Sequence, residues 1–396
     1  MAPHMRNTNA AVLFQVGKPL RHTPLMIPDL KSGQLLVDIS YSGICHTNLL
    51  EARGKRGPDP FLPHTLGHEG SGIVVEIGDN VEKVQPGDHV VLSWIKGAGI
   101  EVPSTSYMSP DGPINSGAIS TFMQRTVTCE NRITKIPKSM PLKEAALLGC
   151  AIPTGAGMVL NTANVRPGST VAVFGVGGIG LSAVLAASLA NATTIIAVDL
   201  LDSKLNLAEQ NGATHVVNGK DEDPLQFIKD VTEGLGVDFA IEAGGSSTSM
   251  EQAFQSVREN GGLCVLAGNL PHGERISIDP FEFIKGKRII GTWGGGTRPD
   301  EDILTYINTD DIYNSTDVVT IVVNEFTQDY QVDFTYGHCS YVNDLGKFMY
   351  TSKAPKFYRE YSIAFPRCTF AQPTCFWRKR VHVQFDSSLK VFLPNK

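Results

Sequence analysis

A chain of 396 residues, 42% hydrophobic and 19% charged, exceeds the size at which one core keeps growing, so about two domains are expected and a single small module is excluded. The formal net charge of −6 argues against a general binder of nucleic acid or of anionic membranes. The N-terminal stretch lacks an apolar signal core and no run of about 18 apolar residues occurs, so neither secretion nor membrane spanning is expected and the cytoplasm is the expected location. Seven cysteines, at 45, 129, 150, 264, 339, 368 and 375, are odd in number and widely scattered, which suits thiols or metal ligands better than a disulfide framework.

In the first 150 residues, short runs such as LLVDIS, GIVVEI and HVVLSW are separated by Gly, Pro and Asp turns such as QPGD at 85–88, a pattern that predicts a β-rich, partly open barrel. From about 168 to 292 the pattern changes. TVAVFG, TIIAV, THVV, DFAIEA, GLCVLAG and RIIGTW read as strands, and 179–191, 202–211, 222–234 and 247–259 read as helices between them. Strands with helical crossovers at this spacing predict a doubly wound parallel sheet, and burial on both faces explains their near-continuous Val, Ile and Ala. The composition shifts again near 305: of the chain's 31 aromatics, 18 lie from Tyr306 onward, with two of its 39 glycines.

The strand TVAVFG runs into Gly175-Val176-Gly177-Gly178-Ile179-Gly180 and then into the apolar helix LSAVLAASLA. This strand, turn and helix context is what a dinucleotide needs. The first glycine permits the tight turn, the second permits close approach of backbone to a pyrophosphate, and the third lets helix pack on strand, with helix-start N–H groups facing the phosphates. Asp199 closes the next strand 19 residues after Gly180, where a carboxylate accepts from ribose hydroxyls and repels a 2′-phosphate, favouring NAD over NADP. The bland alternative is close packing by the glycines and helix capping by Asp199.

Cys45 lies in Ser42-Gly43-Ile44-Cys45-His46-Thr47-Asn48; His68 follows in Gly67-His68-Glu69-Gly70, and Cys150 in Leu148-Gly149-Cys150-Ala151. Two thiolates and an imidazole suit tetrahedral zinc with its fourth position open. Alone, each is more commonly a core or structural residue.

Gly67-His68-Glu69, Gly72, Gly78 and Val81, together with GDHVVLSW, LLGCAIPTGAG, the glycine turn and IIGTWGGG, resemble a zinc-dependent alcohol dehydrogenase of the medium-chain dehydrogenase/reductase superfamily, over roughly residues 8–303. The resemblance implies an α/β protein: a β-rich GroES-like catalytic domain over 1–152, a Rossmann NAD-binding domain over 153–305, and an atypical segment over 306–396 where relatives return to the catalytic domain. It implies Cys45, His68 and Cys150 as ligands of one catalytic zinc, the set such dehydrogenases use. Glu69 lies beside them, Thr47 would touch the substrate hydroxyl, His46 the pyrophosphate, and Thr154 and Lys204 the cofactor site. The implied reaction is reversible hydride transfer between a small-molecule alcohol or aldehyde and NAD, in a homodimer or homotetramer, with neither nucleic acid nor membrane as partner.

Three departures stand out. The segment from Trp94 to Met123 holds none of the four cysteines that bind a structural zinc in many relatives, Asn48 replaces a common Asp, and Leu50 stands where a proton-relay His is common. The same motifs fit a glutathione-dependent formaldehyde dehydrogenase, although the missing cysteines weaken that reading. A zinc-free quinone reductase requires all three ligands to be incidental. A catalytically impaired NAD-binding protein is the reading the aberrant tail favours. That tail arises from an altered reading frame or a divergent ending, and is expected to be poorly ordered and protease-sensitive relative to 8–303.

Overall fold

The computed structural model describes residues 6–308 and the paired strands Val332–Thr335 and His338–Tyr341. The expectations of order and protease sensitivity for the tail otherwise lie outside the described residues. Two compact units are resolved: one takes the chain up to Cys150 and again Pro299–Leu304, the other Ala151–Arg298. Among the described residues no single helix is long and apolar enough to cross a membrane.

The first unit runs β1 (Asn7–Leu13), β2 (Arg21–Met26), β3 (Gln34–Ser42), α1 (His46–Ala52), β4 (His64–Thr65), β5 (Glu69–Ile77), β6 (His89–Ser93), β7 (Ser106–Ser109), β8 (Gly112–Asn115), β9 (Arg125–Cys129), β10 (Ile133–Ile136) and α2 (Leu142–Ala145). Strands β1, β2, β7, β8 and β4 close a small barrel, while a five-stranded sheet has the order β10-β6-β5-β3-β9. Alternation along β3 divides its side chains between two cores. Leu35, Val37 and Ile39 pack with Val74, Val90, Leu92 and Ile133, whereas Leu36 packs with Val12, Leu25, Tyr107 and Val127. Each such fully buried aliphatic side chain contributes about 1.5–3 kcal/mol. The buried Tyr107 hydroxyl accepts from the Val127 N–H at 2.8 Å, which satisfies it inside the barrel.

The second unit runs α3 (Ala151–Gly157), β11 (Thr170–Phe174), α4 (Gly178–Leu189), β12 (Thr194–Asp199), α5 (Asp202–Gln210), β13 (His215–Asn218), α6 (Pro224–Val231), β14 (Phe239–Glu242), α7 (Ser247–Ser256), β15 (Leu263–Leu266), α8 (Pro280–Ile284) and β16 (Arg288–Gly291). All six strands are parallel, in the order β13-β12-β11-β14-β15-β16. The order reverses direction between β11 and β14, so the glycine turn at the end of β11 stands at the switch point where such sheets take ligands. Helix starts are marked locally: Asp223 and Asp279 accept from the N–H groups of Leu225 and Phe281, each followed by proline in the first turn, and Ser246 caps α7. Phe174, Ile196, Val198, Ala240, Phe254 and Cys264 form the central core.

Candidate metal centre and dinucleotide turn

Three strands of one sheet bring the sulfur and nitrogen ligands together. β3 and β5 pair with Ser42 opposite Gly70, and β5 and β6 pair with Glu69 opposite Ser93. The loop leaving β3 therefore delivers Cys45, and the residue before β5 delivers His68. From the end of β6, Ser93 Oγ donates to Gly149 O at 2.7 Å, holding the turn that carries Cys150. The result is a cluster in which one donor atom each from Cys45, His68 and Cys150 lies within 4.8 Å of the others. Cys150 is 5% exposed, and all four cysteines among the described residues are free thiols.

Neighbouring groups orient each ligand. Trp94 donates its backbone N–H to His68 O at 3.2 Å and its indole Nε1–H to Cys150 Sγ at 3.2 Å. Asn48 accepts from the Cys45 N–H through Oδ1 at 3.2 Å, and its Nδ2 lies 3.3 Å from His68 Nδ1. Glu69, 1% exposed, is wedged against two glycines: a Cβ on Gly43 would stand 2.6 Å from its carboxyl carbon, and one on Gly149 would stand 2.9 Å from its Cβ. Ser42 and Thr121 hydroxyls both donate to Glu69 O, at 3.2 and 3.0 Å.

The electrostatics favour one thiolate beside a cationic ring. The hydrogen bond from Cys150, with His68 nearby, holds the Cys45 thiol well below the ordinary range against the opposing effect of burial. That same hydrogen bond, reinforced by burial, pushes Cys150 well above it. Burial draws the His68 imidazole down, but the Cys45 charge and hydrogen bond outweigh it and leave the ring raised. Two sulfurs and an imidazole converging on one point are a donor set that a divalent cation would complete by displacing their protons, so the residues fit a zinc ion.

Of the other residues singled out from sequence, Thr47 lies in the first turn of α1, where its backbone N–H also supports the Cys45 sulfur, and His46 beside it is exposed. Leu50 is buried on the same helix.

In the second unit, Gly175 adopts φ +80°, which only glycine takes without strain, and its N–H donates to Val198 O at 2.8 Å. A Cβ on Gly180 would meet Gly175 O at 1.9 Å, so helix α4 starts directly on the turn. Gly177 is the N-cap of α4, with Gly178 and Ile179 opening it. Asp199 accepts from the N–H groups of Val176 at 2.9 Å and Leu200 at 2.7 Å, which pins the glycine turn to the end of β12. It does not cap α5, whose N-cap is Leu201. Thr154 is buried in α3, and Lys204 lies half-buried in α5.

Several structural contributors carry no motif. Glu242 is fully buried, its carboxyl pushed up by burial, and Oε1 accepts from Gly244 N, Gly245 N and Ser249 Oγ, shaping the loop that lies against Gly175. Loop 94–101 is held by two distant carboxylates. Glu130 accepts from Glu82 N, Lys83 N and Ile100 N at 2.7–3.0 Å, and Asp300 accepts from Ala98 N at 2.6 Å while pairing with Lys83. The acidic residues were visible in the sequence, but separations of up to 202 residues hid their partners.

The chain is similar to known proteins over most of its described residues. The family profile described as Alcohol dehydrogenase GroES-like domain matches residues 31–138, and that described as Zinc-binding dehydrogenase matches 178–309. An S-(hydroxymethyl)glutathione dehydrogenase of Synechocystis sp. is 37% identical over 317 residues, covering 74% of this chain and 86% of that protein. An Escherichia coli enzyme of the same name is 35% identical over 319 residues, with the same coverage. Among solved structures, benzyl alcohol dehydrogenase from Acinetobacter calcoaceticus superposes with a TM-score of 0.71 at 31% identity, covering 81% of this chain and 96% of that one.

Proposed function

The chain belongs to the zinc-dependent alcohol dehydrogenases of the medium-chain dehydrogenase/reductase superfamily, and from that membership we propose that it oxidises a small alcohol reversibly to an aldehyde or ketone, with NAD as hydride acceptor and one zinc held by Cys45, His68 and Cys150. The observation that carries this reading is the convergence of two thiols and one imidazole within 4.8 Å. Bound there, zinc would supply Lewis acidity to the substrate oxygen and nicotinamide the hydride-accepting carbon.

The chain's own groups do the rest. Asn48 and Trp94 fix the ligands in position, as partners beyond the immediate ligands do at metal sites generally. The Thr47 hydroxyl would accept the substrate's hydroxyl proton while giving up its own toward a cofactor ribose hydroxyl and water, since Leu50 has no group that could relay it. Gly175, Gly177, Gly178, Ile179 and Gly180 would hold the pyrophosphate and Thr154 and Lys204 would flank the cofactor, and His46 is assigned a role toward the pyrophosphate. Asp199, already anchored through two backbone N–H groups, accepts from the adenosine ribose and repels a 2′-phosphate. The carboxylates of Glu130 and Asp300 hold loop 94–101 by hydrogen bonds, which supports one zinc per chain rather than two.

The test is NADH formation by the purified full-length chain across aliphatic and aromatic alcohols, with zinc measured on the same dialysed sample. The reading expects turnover with close to one zinc per chain, both lost in Cys45→Ser. A second reading, oxidation of S-(hydroxymethyl)glutathione, is favoured by the names of the 35–37% identical relatives. Adding formaldehyde and glutathione to the panel separates the two.

A further inference from the structure

A second cluster of metal-ligating groups lies in the first unit, apart from the cysteines. One donor atom each from Glu51, Asp59 and His64 lies within 4.8 Å of the other two. Glu51 is in the last turn of α1, His64 is in β4, and Asp59 is in the loop between them. His64 is 6% exposed, and the Asp59 side chain 12%.

The hydrogen bonding of His64 leaves a charge to be accounted for. Its Nδ1 lies 3.0 Å from Thr65 O, a carbonyl that can only accept, so Nδ1 carries the hydrogen. A neutral ring then turns the lone pair of Nε2 toward Asp59 Oδ2, 2.8 Å away. Two acceptors facing each other in a dry site need a proton or a cation between them. Asp59 cannot simply rotate away, because Oδ1 accepts from the Phe61 N–H at 2.9 Å. The loop is tied in turn to β8, with Asn115 donating to Phe61 O at 2.8 Å and to Pro63 O at 2.9 Å.

The third group adds a second negative charge. Burial raises the Glu51 carboxyl above its usual range, opposed by Arg56, by His68 and, only when its ring is protonated, by His64, so its ionised form lacks solvation. Arg56 is exposed, and neither it nor His68 belongs to the cluster. Donors about 2.1 Å from one metal ion stand roughly 3–4.3 Å apart, a spacing that small side-chain rotations reach from here.

We propose that Glu51, Asp59 and His64 form a second divalent-cation site, separate from the Cys45, His68 and Cys150 cluster, which takes an oxygen-preferring ion such as Mn²⁺ through one imidazole nitrogen and two carboxylates. The donor sets differ in softness: thiolates select zinc, whereas carboxylates with one imidazole accept manganese. An ion here would tie the end of α1, the helix capped by Cys45, to the strand that leads toward His68. It would brace two ligand-bearing segments without touching the ligands.

The test is a Mn²⁺ titration of the zinc-replete full-length chain, with free Mn²⁺ read by its electron paramagnetic resonance signal and zinc by elemental analysis. One Mn²⁺ bound per chain is expected, with zinc undiminished. Asp59→Asn and His64→Gln should each abolish Mn²⁺ binding while keeping zinc, the retained zinc reporting a folded unit. A full free-Mn²⁺ signal with the unaltered chain would overturn the proposal, as would undiminished binding in both variants. Loss of zinc in step with Mn²⁺ uptake would assign the binding to the cysteine cluster and equally refute it.

Discussion

The indole Nε1 of Trp94 donates to the Sγ of Cys150 at 3.2 Å, while the same residue's backbone N–H donates to His68 O. One residue just past the end of β6 thus touches two of the three cluster residues, Cys150 through its side chain and His68 through its backbone. Trp94→Phe keeps most of the packing and removes the donor. Zinc affinity, measured by competition with a chromogenic chelator, should fall about 10–100-fold, the usual cost of losing a hydrogen bond to a metal ligand. Unchanged affinity would mean that the indole merely fills space.

For the cofactor, Asp199 serves two purposes at once, pinning the glycine turn and presenting negative charge. Asp199→Asn retains an acceptor for the Val176 N–H while removing the charge. The ratio of kcat/KM for NAD over NADP should shrink by about tenfold or more, the loss corresponding to about 1.4 kcal/mol or more of discrimination. Faster turnover of NADP than NAD by the unaltered enzyme would contradict the role given to this acid.

Proton release should depend on Thr47. Thr47→Ala is expected to lower kcat by roughly 10²-fold or more, with Thr47→Ser restoring most of it and zinc content unchanged in both. Leu50 offers a contrast: it is buried, so Leu50→Ala should cost about 2–5 kcal/mol of stability, seen in the melting curve, rather than the chemical step. Equal activity in Thr47→Ala and the parent would remove that hydroxyl from the reaction.

Acid should loosen loop 94–101 only as Glu130 takes up a proton. Burial opposes ionisation of Glu130, but the N–H groups of Lys83, Ile100 and Glu82 outweigh it and hold its carboxyl below the usual range. A depressed carboxyl contributes stability that is present above the unfolded-state value of about 4.3 and is lost as pH falls through the lower folded-state value. Glu130→Gln should therefore lower stability at neutral pH, by about 2–3 kcal/mol, and flatten its decline in acid. The check is urea denaturation of both proteins at pH 7 and at pH 3.5; parallel pH dependences would show that Glu130 is not the group responsible.

The parts legible in the sequence were those whose signal is local. The strands from Val171 to Ile290 stand out because parallel burial makes them continuously apolar, and the glycine turn because its glycines recur at fixed spacing between an apolar strand and an apolar helix, as the contact of Gly180 with Gly175 O requires. Cys45, His68 and Cys150 are legible only through motif context, since nothing in their spacing says that β3, β5 and β6 are adjacent. Trp94, Thr121 and Asp300 carry no sequence signal for the same reason: their partners are set by strand order, not by sequence distance. Asp199 was legible as an acid at a strand end, but its bond to the Val176 N–H was not, because that bond exists only once β11 and β12 lie side by side.

The wedge of Glu69 between Gly43 and Gly149 limits how this enzyme can drift. A methyl group added at Gly43 would press on the carboxyl, and one at Gly149 would collide with Leu92 O and with the Glu69 stem. Each change is therefore blocked singly, while shortening Glu69 first would open room for the Gly43 change. The order in which mutations arrive then decides which are tolerated. A library that randomises these positions one at a time would miss sequences that a library varying Gly43 and Glu69 together could recover.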